Sequence, residues 1–362
     1  MRDLDERIGE LKQASREVIR DCSLENGAIV AANSDKEYYP ENVANYRFVW
    51  PRDAGFILYA ADVLGLEGLE SEFFDWLYGR AEGFEESGII YHRYSTNGPR
   101  DTDFGHQYQP DQAAALLWAT LETNDSLDEQ QDEIVHLLAD GLWKEWDGKS
   151  FVSRTHDLWE EREAFPEKNE SFSYTLGACS EALYRAAARM GEKKWETAAE
   201  EMRKRLEQHV AERKGREYFP RSYGEISDET VDASALGLVW PFNVANSPER
   251  LEDTVELIEE ELYSNTGVMR YRGDMYDGIV HQTNHLKKGA GSWPLLTFWL
   301  AIALEELGRY EDAREVFRHQ VEKIDGRYIP EQIFDSDSKT SIEPLAWSHA
   351  MFVVAAERLE YL

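Results

Sequence analysis

Cysteine is scarce: Cys22 and Cys179 are the only two in 362 residues. Two thiols make no disulfide framework, so burial must hold the core. Both are expected to be reduced and structural. Long apolar runs are missing too. No stretch approaches the ~20 apolar residues that span a bilayer. Met1-Arg2-Asp3-Leu4-Asp5-Glu6 carries no apolar signal core. A cytoplasmic protein with no membrane partner is the expectation. There is no P-loop, no dinucleotide glycine motif and no Gly-x-Ser-x-Gly elbow. No cofactor is implied.

Positive charge is also in deficit. Against 71 Asp and Glu stand 39 Lys and Arg, a net charge of −32. That argues against nucleic acid and anionic membranes, which call for basic patches. The acids are dispersed, as in Glu196 to Glu207 and Glu249 to Glu261, and form no tail. Arg outnumbers Lys. This pattern reads as adaptation to high salt, where self-repulsion is screened.

What is abundant is helical periodicity. Twelve helices are expected. In the first half they lie at Leu4–Asp21, Ala54–Leu64, Leu69–Glu86, Asp111–Glu122, Leu127–Trp146 and Phe172–Met190. In the second they lie at Lys193–Val210, Val231–Val239, Pro248–Leu262, Gly289–Leu307, Tyr310–Ile324 and Pro344–Leu359. Ser247-Pro248 offers a helix start, and Gly65, Gly191 and Gly308 offer stops. Strand-like stretches are short, such as Gly88–Tyr94 and Gly267–Tyr271. With no linker and no composition break, residues 1–362 read as a single domain. Charged helices alternate with helices rich in Ala, Leu, Trp and Phe. That order suggests an all-α toroid of six hairpins, although no fixed-period repeat accompanies it.

Unusual segments precede the apolar helices. They are Tyr46…Trp50-Pro51-Arg52-Asp53, Gln109-Pro110-Asp111-Gln112, Leu158-Trp159-Glu160-Glu161, Arg270-Tyr271 and Glu331-Gln332. In a closed ring they would share one rim. Breaking a glycosidic bond takes a protonated acid and a second carboxylate. Glu160, between Trp159 and Glu161, suits the acid; Glu331, beside Pro330 and Gln332, suits a base that holds water. Arg52-Asp53 beside Trp50 pairs donor and acceptor as sugar hydroxyls require. The histidines of His281-Gln282-Thr283-Asn284-His285 lack a third ligand, and no metal site is expected.

At these residues the chain resembles glycoside hydrolase family 15, the glucoamylase and glucodextranase family. Gly27-Ala28-Ile29-Val30-Ala31-Ala32, Val231-Asp232-Ala233-Ser234 and Leu345-Ala346-Trp347-Ser348-His349 fit in order. The resemblance implies an (α/α)6 barrel and an inverting attack on the non-reducing ends of α-glucans. It implies Glu160 as general acid and Glu331 as general base, with Tyr46 near the water. It implies Arg52 and Asp53 on the terminal glucose, and Trp50, Asp111, Leu158, Trp159, Glu161, Arg270 and Trp347 completing the sugar site. Helix one begins almost at Met1, so a catalytic domain alone is expected, without the N-terminal β-sandwich of many prokaryotic members or a starch-binding module. Soluble oligosaccharides are the expected partner. The alternatives are α-1,6 glucan or trehalose as substrate, or a non-catalytic glucan-binding or regulatory protein on this fold.

Overall fold

The computed structural model describes residues 4–102, 108–225, 227–244, 248–279, 289–335 and 341–362. His281, His285 and Ser247 lie outside them. Among the described residues the α-helices are α1 (Leu4–Cys22), α2 (Pro51–Val63), α3 (Leu69–Arg80), α4 (Phe84–Ser87), α5 (Pro110–Thr123) and α6 (Glu129–Lys144). Then come α7 (Ser173–Met190), α8 (Lys193–Gln208), a 3-10 helix (Ala233–Leu238), α9 (Pro248–Leu262), α10 (Pro294–Glu306), α11 (Tyr310–Lys323) and α12 (Ala346–Arg358). The strands are two or three residues long and pair only as antiparallel ribbons.

The inner helices close a ring. α2 packs on α5, α5 on α7, α7 on the 3-10 helix, that helix on α10, α10 on α12, and α12 back on α2. Outside, α8 covers α7, α9 covers the 3-10 helix, and α11 covers α10 and touches α1. This is an (α/α)6 barrel. Sequence chemistry sorts the two layers. α8 buries Trp195, Ala198, Ala199, Met202 and Leu206, a helical stripe, and turns Glu200, Glu201 and Lys204 outward. α10 is buried without a gap from Pro294 to Leu304, as an inner helix must be.

One aromatic cluster floors the ring. Phe56 of α2 lies 5.4 Å from Trp118, 5.6 Å from Trp299 and 5.2 Å from Trp347, which come from α5, α10 and α12. Such ring pairs add about 0.5–1.5 kcal/mol each beyond their buried area. Gly55, one residue earlier, lets α2 and α5 touch: a Cβ there would meet Ala115 O at 2.9 Å.

Three expectations need correction. The helix expected over Leu69–Glu86 is two helices, because Gly83 takes a left-handed φ of 82° between them. The eighth helix is 3-10 rather than α. Pro241 ends it early, and Gly237 presses on the Tyr174 ring, where a Cβ would sit 2.5 Å away. The tenth starts at Pro294 rather than Gly289, since Ser292 pairs with Ile333 and Trp293 is extended.

Candidate active site

The inner helices begin at one end of the ring, and their entry segments line a single cavity of about 550 Å³. Pockets of 300–1,000 Å³ hold small molecules. Each entry segment delivers its side chains for a local reason. Pro51 and Pro110 occupy the first helical turns of α2 and α5, where a missing N–H costs nothing. Arg52, Asp53 and Asp111 are thereby fixed in first turns, where helix dipoles favour acids.

Arg52 is buried and held from three sides. Its Nε donates to Asp53 Oδ1 at 3.2 Å, and its Nη1 to Asp111 Oδ2 at 3.3 Å and to Leu158 O at 3.4 Å. The guanidinium also lies over the Trp347 ring at 5.0 Å. Burial raises both Asp53 and Asp111 to about 6, with Arg52 opposing it. Asp111 differs from its expected place. It is wholly buried, does not line the cavity, and braces Arg52 from behind.

Glu160 sits on a tight turn from Asp157 to Arg162. Asp157 organises it: Oδ1 accepts from the N–H of Glu161 at 2.8 Å and of Arg162 at 3.1 Å, and its carbonyl accepts from Glu160 N–H at 3.0 Å. Glu160 itself takes φ 61°, a left-handed conformation costly for a residue with a Cβ. Its Oε1 accepts from Trp50 Nε1 at 2.7 Å and lies 3.8 Å from Arg52 Nη2. Its Oε2 lies 3.6 Å from His92 Nε2.

The same turn carries the pocket wall. Trp159 donates through Nε1 to Asp232 Oδ1 at 2.9 Å, and that oxygen also caps the 3-10 helix through Ser234 N–H. Glu161 pairs with Arg270 at 2.7 Å and accepts from the Tyr271 hydroxyl. Arg270 is forked onto Asp274 at 2.6 and 2.7 Å and enclosed by the rings of Trp159, Tyr276 and Trp293.

Glu331 lines the same cavity and is 1% exposed. Tyr46 donates to its Oε1 at 2.9 Å and Gln332 Nε2 to its Oε2 at 3.2 Å. The Tyr276 hydroxyl bonds to that of Tyr46. Burial lifts Glu331 to about 7; the bonds from Tyr46 and Gln332 and the charge of Arg270 work against the rise. Gly278 gives it room, since a Cβ there would meet Oε2 at 2.8 Å.

Eleven of the twelve expected site residues therefore share one cavity: Tyr46, Trp50, Arg52, Asp53, Leu158, Trp159, Glu160, Glu161, Arg270, Glu331 and Trp347. The sequence reading missed Asn45, Phe48, Arg93, Tyr276 and Trp293 in the lining. It also missed Asp157 and Arg221, a buried pair at 3.1 Å behind the turn. Asp157 immediately precedes Leu158-Trp159-Glu160-Glu161, and that adjacency was the available signal. Arg221 and Tyr276 carry none.

The inner entries of this ring of helical hairpins gather two carboxylates, a forked Arg-Asp pair and aromatic walls. The chain belongs to the glycosyl hydrolases family 15, whose sequence pattern matches residues 23–357. An uncharacterized glycosyl hydrolase of Methanocaldococcus jannaschii is 27% identical, across 95% of this chain and 54% of its own length. A trehalase of Mycobacterium tuberculosis is 26% identical, across 80% of this chain and 45% of its own. The chain spans about half the length of the curated relatives it matches. Among solved structures, a glycosidase superposes with a TM-score of 0.77 at 22% identity, covering 99% of this chain and 98% of that one. A glycosidase variant in complex with glucose superposes with a TM-score of 0.78 at 22% identity, covering 99% of this chain and 98% of that one. A bacterial glucoamylase complexed with acarbose superposes with a TM-score of 0.70 at 19% identity, covering 97% of this chain and 55% of that one. No helix among the described residues is long and apolar enough to cross a membrane.

Proposed function

We propose that this chain is an exo-acting, inverting α-glucosidase of soluble oligosaccharides, with Glu160 as acid and Glu331 as base. The observation that carries the reading is the contrast between the two carboxylates in one cavity. Both oxygens of Glu331 accept hydrogen bonds, from Tyr46 and Gln332, which favours the ionised form a base needs. Glu160 accepts a hydrogen bond from Trp50 at Oε1, which leaves Oε2 to carry a proton. The raised value of Glu331 would suit a donor, but a proton on Oε2 would face the Gln332 Nε2–H, which is fixed because Gln332 Oε1 accepts from Gly291 N–H. Arg52 and Asp53 would bind the terminal glucose. Leu158, Trp159, Glu161, Arg270 and Trp347 would enclose it.

In the proposed cycle Glu160 gives its proton to the glycosidic oxygen as the C1–O bond breaks. A water beside Tyr46 adds to C1 and gives its proton to Glu331. The sugar leaves with inverted configuration. A second reading, trehalose as substrate, is favoured by the trehalases among the relatives.

Proton NMR of fresh reactions with maltotriose, isomaltotriose and trehalose tests both. β-Glucose should appear first from the cleaved α-glucan, whereas trehalose should release one β- and one α-glucose per bond. The substrate turned over fastest sets the specificity. α-Glucose as the sole first product from maltotriose would overturn the inverting assignment. Glu160→Gln should lower kcat on the chosen substrate by about 100- to 10,000-fold, the usual contribution of general acid catalysis.

A further inference from the structure

We propose that His92 is a positioning residue for Glu160, holding the acid's proton-bearing oxygen toward the leaving group. The proposal rests on the reading of Glu160 as the acid. The surroundings of the two carboxyl oxygens carry it. Oε1 accepts a hydrogen bond from Trp50 Nε1 at 2.7 Å and faces the Arg52 cation, with Nη2 at 3.8 Å. A proton placed there would oppose both. The proton therefore belongs on Oε2, and the described side chain against Oε2 is His92, with Nε2 at 3.6 Å.

The contact is longer than a hydrogen bond, so its effect is electrostatic, exerted by the dipole at Nε2. Glu160 needs such support. It sits on a turn at positive φ, and its side chain keeps 28% of its surface exposed. His92 is 4% exposed and lies two residues before Tyr94, which pairs with Val49 in the ribbon beside Trp50. A fixed imidazole thus stands beside a freer carboxyl, and the dipole at its Nε2 favours one placement of the two oxygens over the other. The charge state fits as well. Burial lowers the proton affinity of His92; Glu160 and Asp101 act against that, while Arg93 and His156 add to it. A neutral imidazole places no cation beside Oε2, so it does not draw the proton off an acid that must begin each cycle protonated.

The test compares two leaving groups. α-Glucosyl fluoride expels fluoride with little help from an acid; an oligosaccharide needs the proton. His92→Phe keeps the ring and removes its nitrogens, whereas His92→Gln restores a polar atom near the place of Nε2. His92→Phe should lower kcat by about 10- to 100-fold on the oligosaccharide selected by NMR, and by no more than about 3-fold on the fluoride. It should also shift the alkaline limb of kcat/KM on the oligosaccharide, and His92→Gln should recover most of the loss. Equal losses on both substrates, or none on either, would overturn the role of His92. If His92→Phe fails to fold, the same substrate ratio and pH limb measured on His92→Gln decide the matter: an unmoved ratio and limb overturn it. Glu160→Gln, assayed in parallel, separates the two readings. If it spares the oligosaccharide, the acid assignment itself fails; if it abolishes that turnover while the His92 variants leave the ratio unmoved, only the present inference fails.

Discussion

Glu331 is buried beside two tyrosines, away from the water that ordinarily stabilises a carboxylate. Its affinity for a proton rises from 4.5 to about 7 as a result. A raised folded value means that the native state binds the proton more tightly than the unfolded chain does. The stabilisation is complete below pH 4.5 and is lost as pH rises through about 7. As the proposed base, Glu331 would be ionised only above the same point, so its proposed function and its stabilisation oppose each other. Glu331→Gln should therefore abolish turnover yet raise Tm at pH 8, by an amount equivalent to roughly 1–3 kcal/mol. At pH 4 the gain should vanish. Calorimetry at the two pH values checks it, and a variant equally destabilised at both would refute the burial argument. The residues that could be read from the sequence were those whose motif names a chemistry, such as Trp159-Glu160 and Arg52-Asp53. Asp111 stands in an equally suggestive motif, but its carboxylate turns inward to Arg52. Direction is a property of packing, and spacing along the chain does not report it.

Elements were more legible than their edges. α1, α7 and α9 lie within a residue of expectation, because their apolar stripes mark their extent and Gly191 stops α7. Gly65, Gly191 and Gly308 take left-handed φ angles of 65°, 78° and 77°, as helix stops should. The alternation of charged and apolar helices was legible for the same reason, since burial on one side or on all sides leaves different patterns. The 3-10 helix was not, because its tightening follows from its neighbours, Tyr174 and Trp299, against Gly237. The α2–α5 crossing rests on a similar constraint. Gly55→Ala would drive a Cβ to 2.9 Å from Ala115 O and part the two helices. We expect a loss of about 1–3 kcal/mol, the usual cost of overpacking. Since α2 and α5 carry Arg52 and Asp111, KM should rise as the helices part. Chemical denaturation and steady-state kinetics together check this; an unchanged melting curve would show that the crossing has slack.

The whole molecule carries a charge that local pairing cannot remove. Even if every Lys and Arg found an acidic partner, 32 carboxylates would be left over. Many cations are in fact engaged: Arg216 bridges Glu256 and Glu260, Arg309 bridges Glu259 and Asp312, and Arg358 bridges Glu305 and Glu306. Such exposed pairs contribute only ~0–1 kcal/mol each. The remainder is repulsion spread over the outer helices, relieved when unfolding moves the charges apart. Salt shortens the reach of that repulsion from about 30 Å at 0.01 M to about 3 Å at 1 M. Tm should therefore climb between dilute buffer and molar KCl by about 4 °C, roughly 3 kcal/mol for a chain of this size. Screening also predicts the shape of the curve. Most of the rise should fall below about 0.5 M, because the screening length has by then shrunk to a few ångströms. A rise that continued in proportion to concentration would instead indicate exclusion of salt from the surface, which strengthens apolar burial. Circular dichroism melts across a KCl series distinguish these, and a flat Tm would sink the claim that dispersed acidity strains the fold.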